Sequence, residues 1–365
     1  MTKVCFLAHN LRHDNGAGVF SRRIIEGVKS HSDYDVTVLT VLPCEESYAR
    51  HLLSSKFKIL RNFFKIRRVF KRANIIHAMD VFPYGFIAVF FSFGLRKKII
   101  ITAIGSGSII PLYKRIYSFL SRYCYRRANC VTAISHFVRN EILKKTKNVN
   151  IKIIMPGVDF EKFNRDIYEG NPRKLNLPRN YVLSVGSLRW RKGYKVSIPA
   201  FAKVNAIFPE MNYVIVGKKY TEKQYDKLQG LIGDSELENK VHILHNVDNF
   251  DELVNIYKNA ELFLLMSQNK GHDVEGFGMV FLEAAACGLP VVGSKDCGVE
   301  EAILEDGNGF LVGERDVDGF ANAVIKILSD EQLKSSMSQQ SLVFAKSQSW
   351  DSKVNQYVDV YKSIS

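Results

Sequence analysis

Two glutamates stand eight positions apart in Glu275-Gly276-Phe277-Gly278-Met279-Val280-Phe281-Leu282-Glu283. Carboxylates at that spacing can accept hydrogen bonds from two sets of hydroxyl groups on one ligand. Along a helix axis eight residues span at most about 12 Å. That is room for one acid at a sugar and the other at a ribose, with a diphosphate between them. Gly276 and Gly278 leave backbone amides uncovered where a helix begins, and unpaired N–H groups at a positive dipole end suit a phosphate. A second stretch has matching chemistry. In Val185-Gly186-Ser187-Leu188-Arg189-Trp190-Arg191-Lys192-Gly193, Arg191 offers a planar fork and Lys192 a compact charge. Both can meet a diphosphate at a helix start. Gly16-Ala17-Gly18 is weaker. With Ser21 in the third place it is a poor dinucleotide fingerprint, and turn glycines explain it nearly as well.

These residues need elements to hold them. Residues 279–287 read as an apolar helix that small alanines let pack closely. Gly288 ends it, Pro290 forbids its continuation, and Val291-Val292 enter a sheet. Upstream, residues 4–8, 36–39, 75–78, 99–102, 130–134 and 151–154 read as strands, with 57–60 as a short one. Helices are expected through Ile24, Ile25 and Val28, over 83–93 and 112–127, and from Phe137 onward behind a Ser135 cap. Residues 166–179 hold Gly170, Pro172 and Pro178 and read as a linker. The alternation then restarts, with strands at 181–185, 213–216, 241–243 and 262–265 and a helix from Lys192 to about Phe208. Helices at 317–328, 333–345 and 350–363 close the chain. Strands alternating with helices imply parallel sheets with right-handed crossovers. The expected organisation is α/β: a domain over 1–165, a linker, and a domain over 180–346.

A length of 365 residues allows two domains, and 46% hydrophobic with 24% charged residues is a globular balance. The first eight residues read as a strand, not a signal peptide. Six cysteines without a C-x-x-C pair point to a reduced, cytoplasmic protein without disulfides or structural zinc. The longest uncharged run, Val81 to Leu95, is too short for a spanning helix and contains Pro83 and Gly85. The net charge of +14 is uneven. Residues 1–165 carry 29 Lys and Arg against 10 Asp and Glu, a balance of +19; residues 166–365 carry 22 against 27, a balance of −5. Such a first half attracts an anionic membrane surface, at about 1 kcal/mol per basic residue near it. Nucleic acid would be attracted too, and a merely solvated face is the plain alternative.

The two motifs together, with the Cys287-Gly288-Leu289-Pro290-Val291-Val292 ending, resemble the donor-site signature of glycosyltransferase family 4, whose members are retaining enzymes. The resemblance spans most of the chain and is most specific over 181–312. It implies the GT-B fold: two Rossmann-like domains facing each other across a cleft, with the final helix (347–365) packing back on the first. It implies a donor site with Glu275 at a sugar hydroxyl and Glu283 at the ribose. Backbone amides of Gly276, Phe277, Gly278, Met279 and Val280 would meet the sugar and phosphates. Arg191 and Lys192 would clamp the diphosphate, Gly16 and Gly18 would approach a donor phosphate, and Gly217 and Val247 would line the base pocket. Ser187 stands where many members carry arginine, and Arg189 is the candidate substitute. Ile104, before Gly105, stands where many carry histidine; His77 and His136 are readable as core or cap residues. The implied chemistry is same-face attack in which the leaving phosphate assists deprotonation. That chemistry needs electrostatic stabilisation of the diphosphate more than a strong base. Glu275, Lys192 and Arg191 would carry it. No D-x-D triad stands in a suitable place, so neither a metal nor another cofactor is expected, and the nucleoside-diphosphate sugar is the donor substrate.

The expectation is a retaining hexosyltransferase that moves a sugar to a glycan or lipid-linked glycan, in cell-surface polysaccharide or lipopolysaccharide assembly. It would be cytoplasmic and peripheral on the inner membrane face, held by its basic first domain, with no nucleic-acid partner. Lys65, Arg68 and Arg72 would line one side of a helix, with Phe63, Phe64 and Phe70 adding apolar contact. Two alternatives stay open: a nucleotide-sugar-binding protein without turnover, because of Ile104, and a glycosyltransferase for a soluble small molecule. A nucleotide-dependent oxidoreductase would need an acid after the second strand, where Leu39-Thr40 stand. A nucleic-acid module would interleave aromatics with bases in a known pattern, and none is recognisable.

Overall fold

Apolar runs buried on both faces become the central strands of two parallel sheets. The computed structural model describes residues 1–13, 15–165, 177–247 and 249–364, and of Lys56 only the backbone. The expected linker 166–179 therefore lies outside the described residues up to residue 176. The chain forms two units, one from Met1–Gly157 with Trp350–Ser365 and one from Val158–Ser349.

The first unit begins β1 (Thr2–Ala8), α1 (Gly16–Ser30), β2 (Tyr34–Thr40), β3 (Ala49–His51), α2 (Lys56–Arg61), α3 (Phe63–Arg72) and β4 (Ile75–Met79). It continues α4 (Phe86–Phe91), β5 (Lys98–Ala103), α5 (Ser106–Ile109), α6 (Arg115–Arg127), β6 (Cys130–Ala133), α7 (His136–Leu143) and β7 (Ile151–Ile153). The strands pair in parallel in the order β3-β2-β1-β4-β5-β6-β7. Phe6 sits opposite Val38 on one side and His77 on the other. The order reverses between β1 and β4, which opens a crevice at their carboxyl ends.

The second unit runs α8 (Phe160–Asn164), β8 (Tyr181–Val185), α9 (Tyr194–Ile207), β9 (Asn212–Val216), α10 (Glu222–Asp234), β10 (Val241–Leu244) and α11 (Phe250–Lys258). Then come β11 (Leu262–Leu265), α12 (Met279–Ala286), β12 (Val291–Ser294), β13 (Gly309–Val312), α13 (Val317–Ser329) and α14 (Glu331–Ser347). Its order, β10-β9-β8-β11-β12-β13, reverses between β8 and β11. The final helix α15 (Trp350–Ile364) belongs to the first unit. Its buried Trp350, Val354, Tyr357 and Tyr361 recur at helical spacing. Tyr361 stands 2.7 Å from His77 Nδ1, and the Trp350 ring lies 6.0 Å from that of Phe20.

Several expectations change. Residues 57–60 form a helix, because Ser55 caps α2 by accepting from the Lys58 N–H, and Phe57 and Leu60 stay exposed. The expected helix over 83–93 is confined to α4. Phe82 is extended (φ −119°, ψ 128°), as a residue before proline prefers, so the chain turns irregularly up to Gly85. The helix expected from Lys192 begins at Tyr194. Phe70 is fully buried with Ile66 and Val69 on the inner side of α3, so it offers no apolar contact outward. Residues 158–165, expected in the first domain, sit in the second unit. There the Phe163 ring lies 5.1 Å from Phe250 and 6.0 Å from Tyr257. No helix among the described residues is long and apolar enough to cross a membrane.

Candidate active site

In the second unit the loops after β8 and β11 meet at the point where the strand order reverses. The β8 loop ends in a tight turn, Trp190–Lys192, closed by Gly193 at φ +73°. A Cβ on Gly193 would lie 1.6 Å from the Met266 carbonyl oxygen, at the end of β11, so only glycine lets the two loops come this close. The turn aims Arg191 and Lys192 at the loop before α12. Lys192 Nζ donates to Glu275 Oε2 at 2.7 Å, and Arg191 Nη1 stands 3.2 Å from the same oxygen. Arg191 also donates to the Val274 carbonyl at 2.6 Å, and Ser267 Oγ donates to Glu275 at 3.3 Å. The Asp273 carboxylate lies 3.8 Å from both Arg189 and Arg191. Burial alone would push the Glu275 carboxyl up. Lys192 and Arg191 outweigh it and hold it at about 2, so it stays ionised.

Glu283 has the opposite environment. It sits one turn into α12 and accepts a hydrogen bond from the Tyr257 hydroxyl at 3.0 Å. Burial raises its carboxyl to about 7, although the tyrosine bond pulls the other way. Tyr257 comes from α11, with no motif around it, and sequence reading did not find it. Ser267, directly after the buried strand-end Met266, was missed for the same reason.

The remaining expected residues fall as follows. Gly276, Phe277 and Gly278 are buried in the loop that enters α12, whose first two residues are Met279 and Val280. Ser187 is half-buried in the β8 loop, Gly217 follows β9, and Val247 follows β10. Arg189 lies with its guanidinium 5.3 Å over the Tyr220 ring. Gly16 and Gly18 are in the first unit, in the first turn of α1. Asn15 caps that helix by accepting from the Gly18 N–H at 2.8 Å. A Cβ on Gly18 would stand 2.3 Å from Asn10 Oδ1, so that glycine has a packing reason of its own.

At the first unit's own reversal, His9 follows β1 and Asp80 follows β4. His9 Nδ1 and the Tyr84 hydroxyl are 3.1 Å apart. Asp80 accepts from the Ile104 N–H at 3.0 Å and from Ser108 Oγ at 2.6 Å. Ile104 is thus held through its backbone by a buried acid whose carboxyl burial pushes up. His77 is fully buried, bonded to Tyr361 and Thr102 at 2.7 Å each, and burial lowers it to about 3. It is a neutral core residue. His136 opens α7 behind the Ser135 cap.

Two family models match the chain, "Glycosyltransferase Family 4" over residues 14–162 and "Glycosyl transferases group 1" over residues 169–342. The N-acetyl-alpha-D-glucosaminyl L-malate synthase of Bacillus anthracis is 27% identical over 308 residues, 82% of this chain and 78% of that protein. A GDP-mannose-dependent alpha-(1-6)-phosphatidylinositol monomannoside mannosyltransferase of Mycolicibacterium smegmatis is 29% identical over 217 residues, 58% of this chain and 56% of that one. Among solved structures, Alr3699/HepE of Anabaena in complex with UDP-glucose superposes with a TM-score of 0.80 at 18% identity, over 100% of each chain. The shared architecture of two Rossmann-like units is the GT-B fold. With its two halves matched in turn by the models of one enzyme group, the chain belongs to glycosyltransferase family 4.

Proposed function

We propose that the chain transfers a sugar from a nucleoside-diphosphate sugar to a glycan or lipid-linked glycan, with retention at the anomeric carbon and without a metal ion. The observation that carries this reading is the convergence of Lys192, Arg191 and Glu275 on one another at the reversal of the second sheet. As the bond from the anomeric carbon to the diphosphate oxygen breaks, negative charge grows on the leaving group. Two cations already desolvated and fixed in place stabilise that charge with little reorganisation. They also supply the compensation that a metal ion would otherwise bring. Glu275, kept ionised, accepts from a sugar hydroxyl, and Glu283 accepts from the ribose. The amides of Gly276 to Val280 meet the sugar and phosphates, Gly16 and Gly18 approach a phosphate, and Ser187, Gly217 and Val247 border the nucleotide. The acceptor oxygen bonds to the anomeric carbon on the face the phosphate leaves, and its proton passes to a phosphate oxygen. Ile104 in place of histidine then removes no required base.

The Anabaena protein's UDP-glucose complex supports a donor of this class, and the mannosyltransferase acting on a phosphatidylinositol mannoside supports a membrane-borne acceptor. The basic first unit would hold that acceptor at the anionic cytoplasmic face, in cell-surface polysaccharide assembly. A thermal-shift panel of nucleotide sugars tests the donor, since a ligand bound only to the folded state raises the midpoint. The stabilising donor is then used for transfer, with the product anomer read by NMR in the presence and absence of a chelator. Retention, insensitive to chelator, is expected. Inversion or loss of turnover with chelator would overturn those two features, and a panel without any stabilising donor would overturn the donor site.

A further inference from the structure

Between Glu46 and Glu141 the chain holds eighteen Lys and Arg and a single acid, Asp80. That acid is tied to Ser108 and Ile104. Helices α2, α3 and α6, all built from this stretch, therefore present bases and no acids, and α4 carries no charge at all. The same helices and their ends expose large apolar side chains: Phe57, Phe64, Phe90, Phe93, Ile116 and Phe119 are each 41–87% exposed. Polar facing alone does not account for rings left in water beside so many cations.

A cavity of about 380 Å³ opens beside this face, at the carboxyl edge of the first sheet. Phe82, Ile110, Pro111 and Tyr117 give it apolar walls, and Lys114 is its one charged residue. Its size falls in the range of small-molecule pockets, roughly 300–1,000 Å³. A ladder of rings leads out of it. Phe82 and Tyr117 are 5.1 Å apart, Tyr117 stacks on Phe86 at 6.3 Å, Phe86 meets Phe90 at 6.2 Å, and Phe90 stacks on Tyr123 at 5.9 Å. The ladder passes from half-buried rings at the cavity to exposed ones between α4 and α6.

We propose that the cavity and the ladder bind a phosphate-bearing single-chain lipid, with its phosphate at Lys114 and its hydrocarbon chain laid along Phe86, Phe90 and Tyr123. The proposal rests on the reading of a membrane-borne acceptor and names its class: an amphiphile whose phosphate or diphosphate adjoins the chain. The orientation follows from the fold. A reacting head group belongs at the carboxyl edge of the sheet, where open α/β sheets bind ligands. The chain then leaves by the apolar path that begins there. A neutral lipid would make no use of the unopposed bases on α2, α3 and α6, and a free phosphate would make no use of the ladder.

Calorimetry on the full chain tests it, with octyl phosphate and dodecyl phosphate below their micelle concentrations, inorganic phosphate, and the uncharged dodecyl maltoside. Each buried methylene strengthens binding about fourfold. Dodecyl phosphate should bind at least tenfold tighter than octyl phosphate, and both tighter than inorganic phosphate or dodecyl maltoside. Lys114→Glu should weaken dodecyl phosphate at least tenfold, and Phe90→Ser with Tyr117→Ser should erase the gain with chain length. If the double variant melts early, Phe90→Ser alone, at an exposed position, decides. No gain with chain length, or a gain unchanged in the variants, overturns the proposal. Nucleotide-sugar binding, followed in the same samples, should match wild type. Its absence in wild type would sink the transferase reading while leaving the lipid result standing.

Discussion

Glu275 and Glu283 are the same side chain in two electrostatic settings, and that difference makes predictions. Glu275 has a folded value of about 2 against 4.5 when solvated, so it contributes stability above pH 4.5 that is lost as the pH falls from 4.5 towards 2. The size is about 3 kcal/mol. Lys192→Ala removes the nearest partner of a buried charge and should destabilise the second unit by about 3 kcal/mol at pH 7, and by less at pH 3. Denaturant titration at both values checks this, and equal losses would count against the pairing. The same variant, and Arg191→Ala, should each weaken nucleoside-diphosphate binding by about 1.5–3 kcal/mol in calorimetry. Glu283 behaves in the opposite sense. Its carboxyl, raised to about 7, is largely protonated at pH 6 and ionised at pH 8. If its carboxylate accepts from the ribose, nucleotide affinity should rise with pH through 7, and Glu283→Gln should abolish the dependence. Tyr257→Phe, which removes a bond favouring the charged form, should move the midpoint upward. A flat profile in wild type would free Glu283 from that role. The motif residues were legible in the sequence because their chemistry is local. Tyr257 was not, since only the fold carries α11 to α12.

At the scale of elements, the site depends on loops at a strand reversal, and the loops depend on backbone that side chains cannot replace. Gly193→Ala would force a left-handed residue against the Met266 carbonyl. A cost above the usual 1–3 kcal/mol of such strain is expected, because the carbonyl must also move. The measurement is the unfolding midpoint of the second unit, with diphosphate affinity beside it; both should fall. A variant with wild-type stability would mean that the β8 loop can relax away. Strands were the easiest elements to read, because their apolar runs in β1, β4, β8 and β11 are buried on both faces. The misread elements share a cause. Residues 57–60 carry large apolar side chains that suggest a sheet, yet Ser55 and the flanking lysines favour a helix with Phe57 and Leu60 outward. The helix after Lys192 starts late because a single glycine angle breaks it.

For the whole molecule, the charge asymmetry is the dominant feature. Lys65, Arg68 and Arg72 are exposed on α3, while Phe70 faces the core. Wild type should co-sediment with anionic but not neutral vesicles, and added salt should release it, since exposed charges are screened within about 8 Å at physiological ionic strength. The triple change of Lys65, Arg68 and Arg72 to Glu should stay in the supernatant and still bind nucleotide sugar. Equal sedimentation would reduce the cluster to a solvated face. The two-unit plan was readable from the restart of the strand–helix alternation. Its boundary was not, because α8 follows β7 without a break in composition and only the packing of Phe163 shows where it belongs.

The discontinuity of the first unit has a consequence during synthesis. Residues 1–157 leave the ribosome without α15, and the parts of α1 and β4 that this helix covers stay bare until residues 350–364 arrive. At about 5–20 residues per second, that wait lasts about 10–40 s. The second unit has all its residues before the first does, so the chain reverses the usual order in which an amino-terminal domain finishes first. Thr102 can hold one ring nitrogen of His77 throughout that interval, but the nitrogen that meets Tyr361 in the finished unit waits uncovered beside bare apolar surface, which exposes the half-built first unit to aggregation and to chaperones.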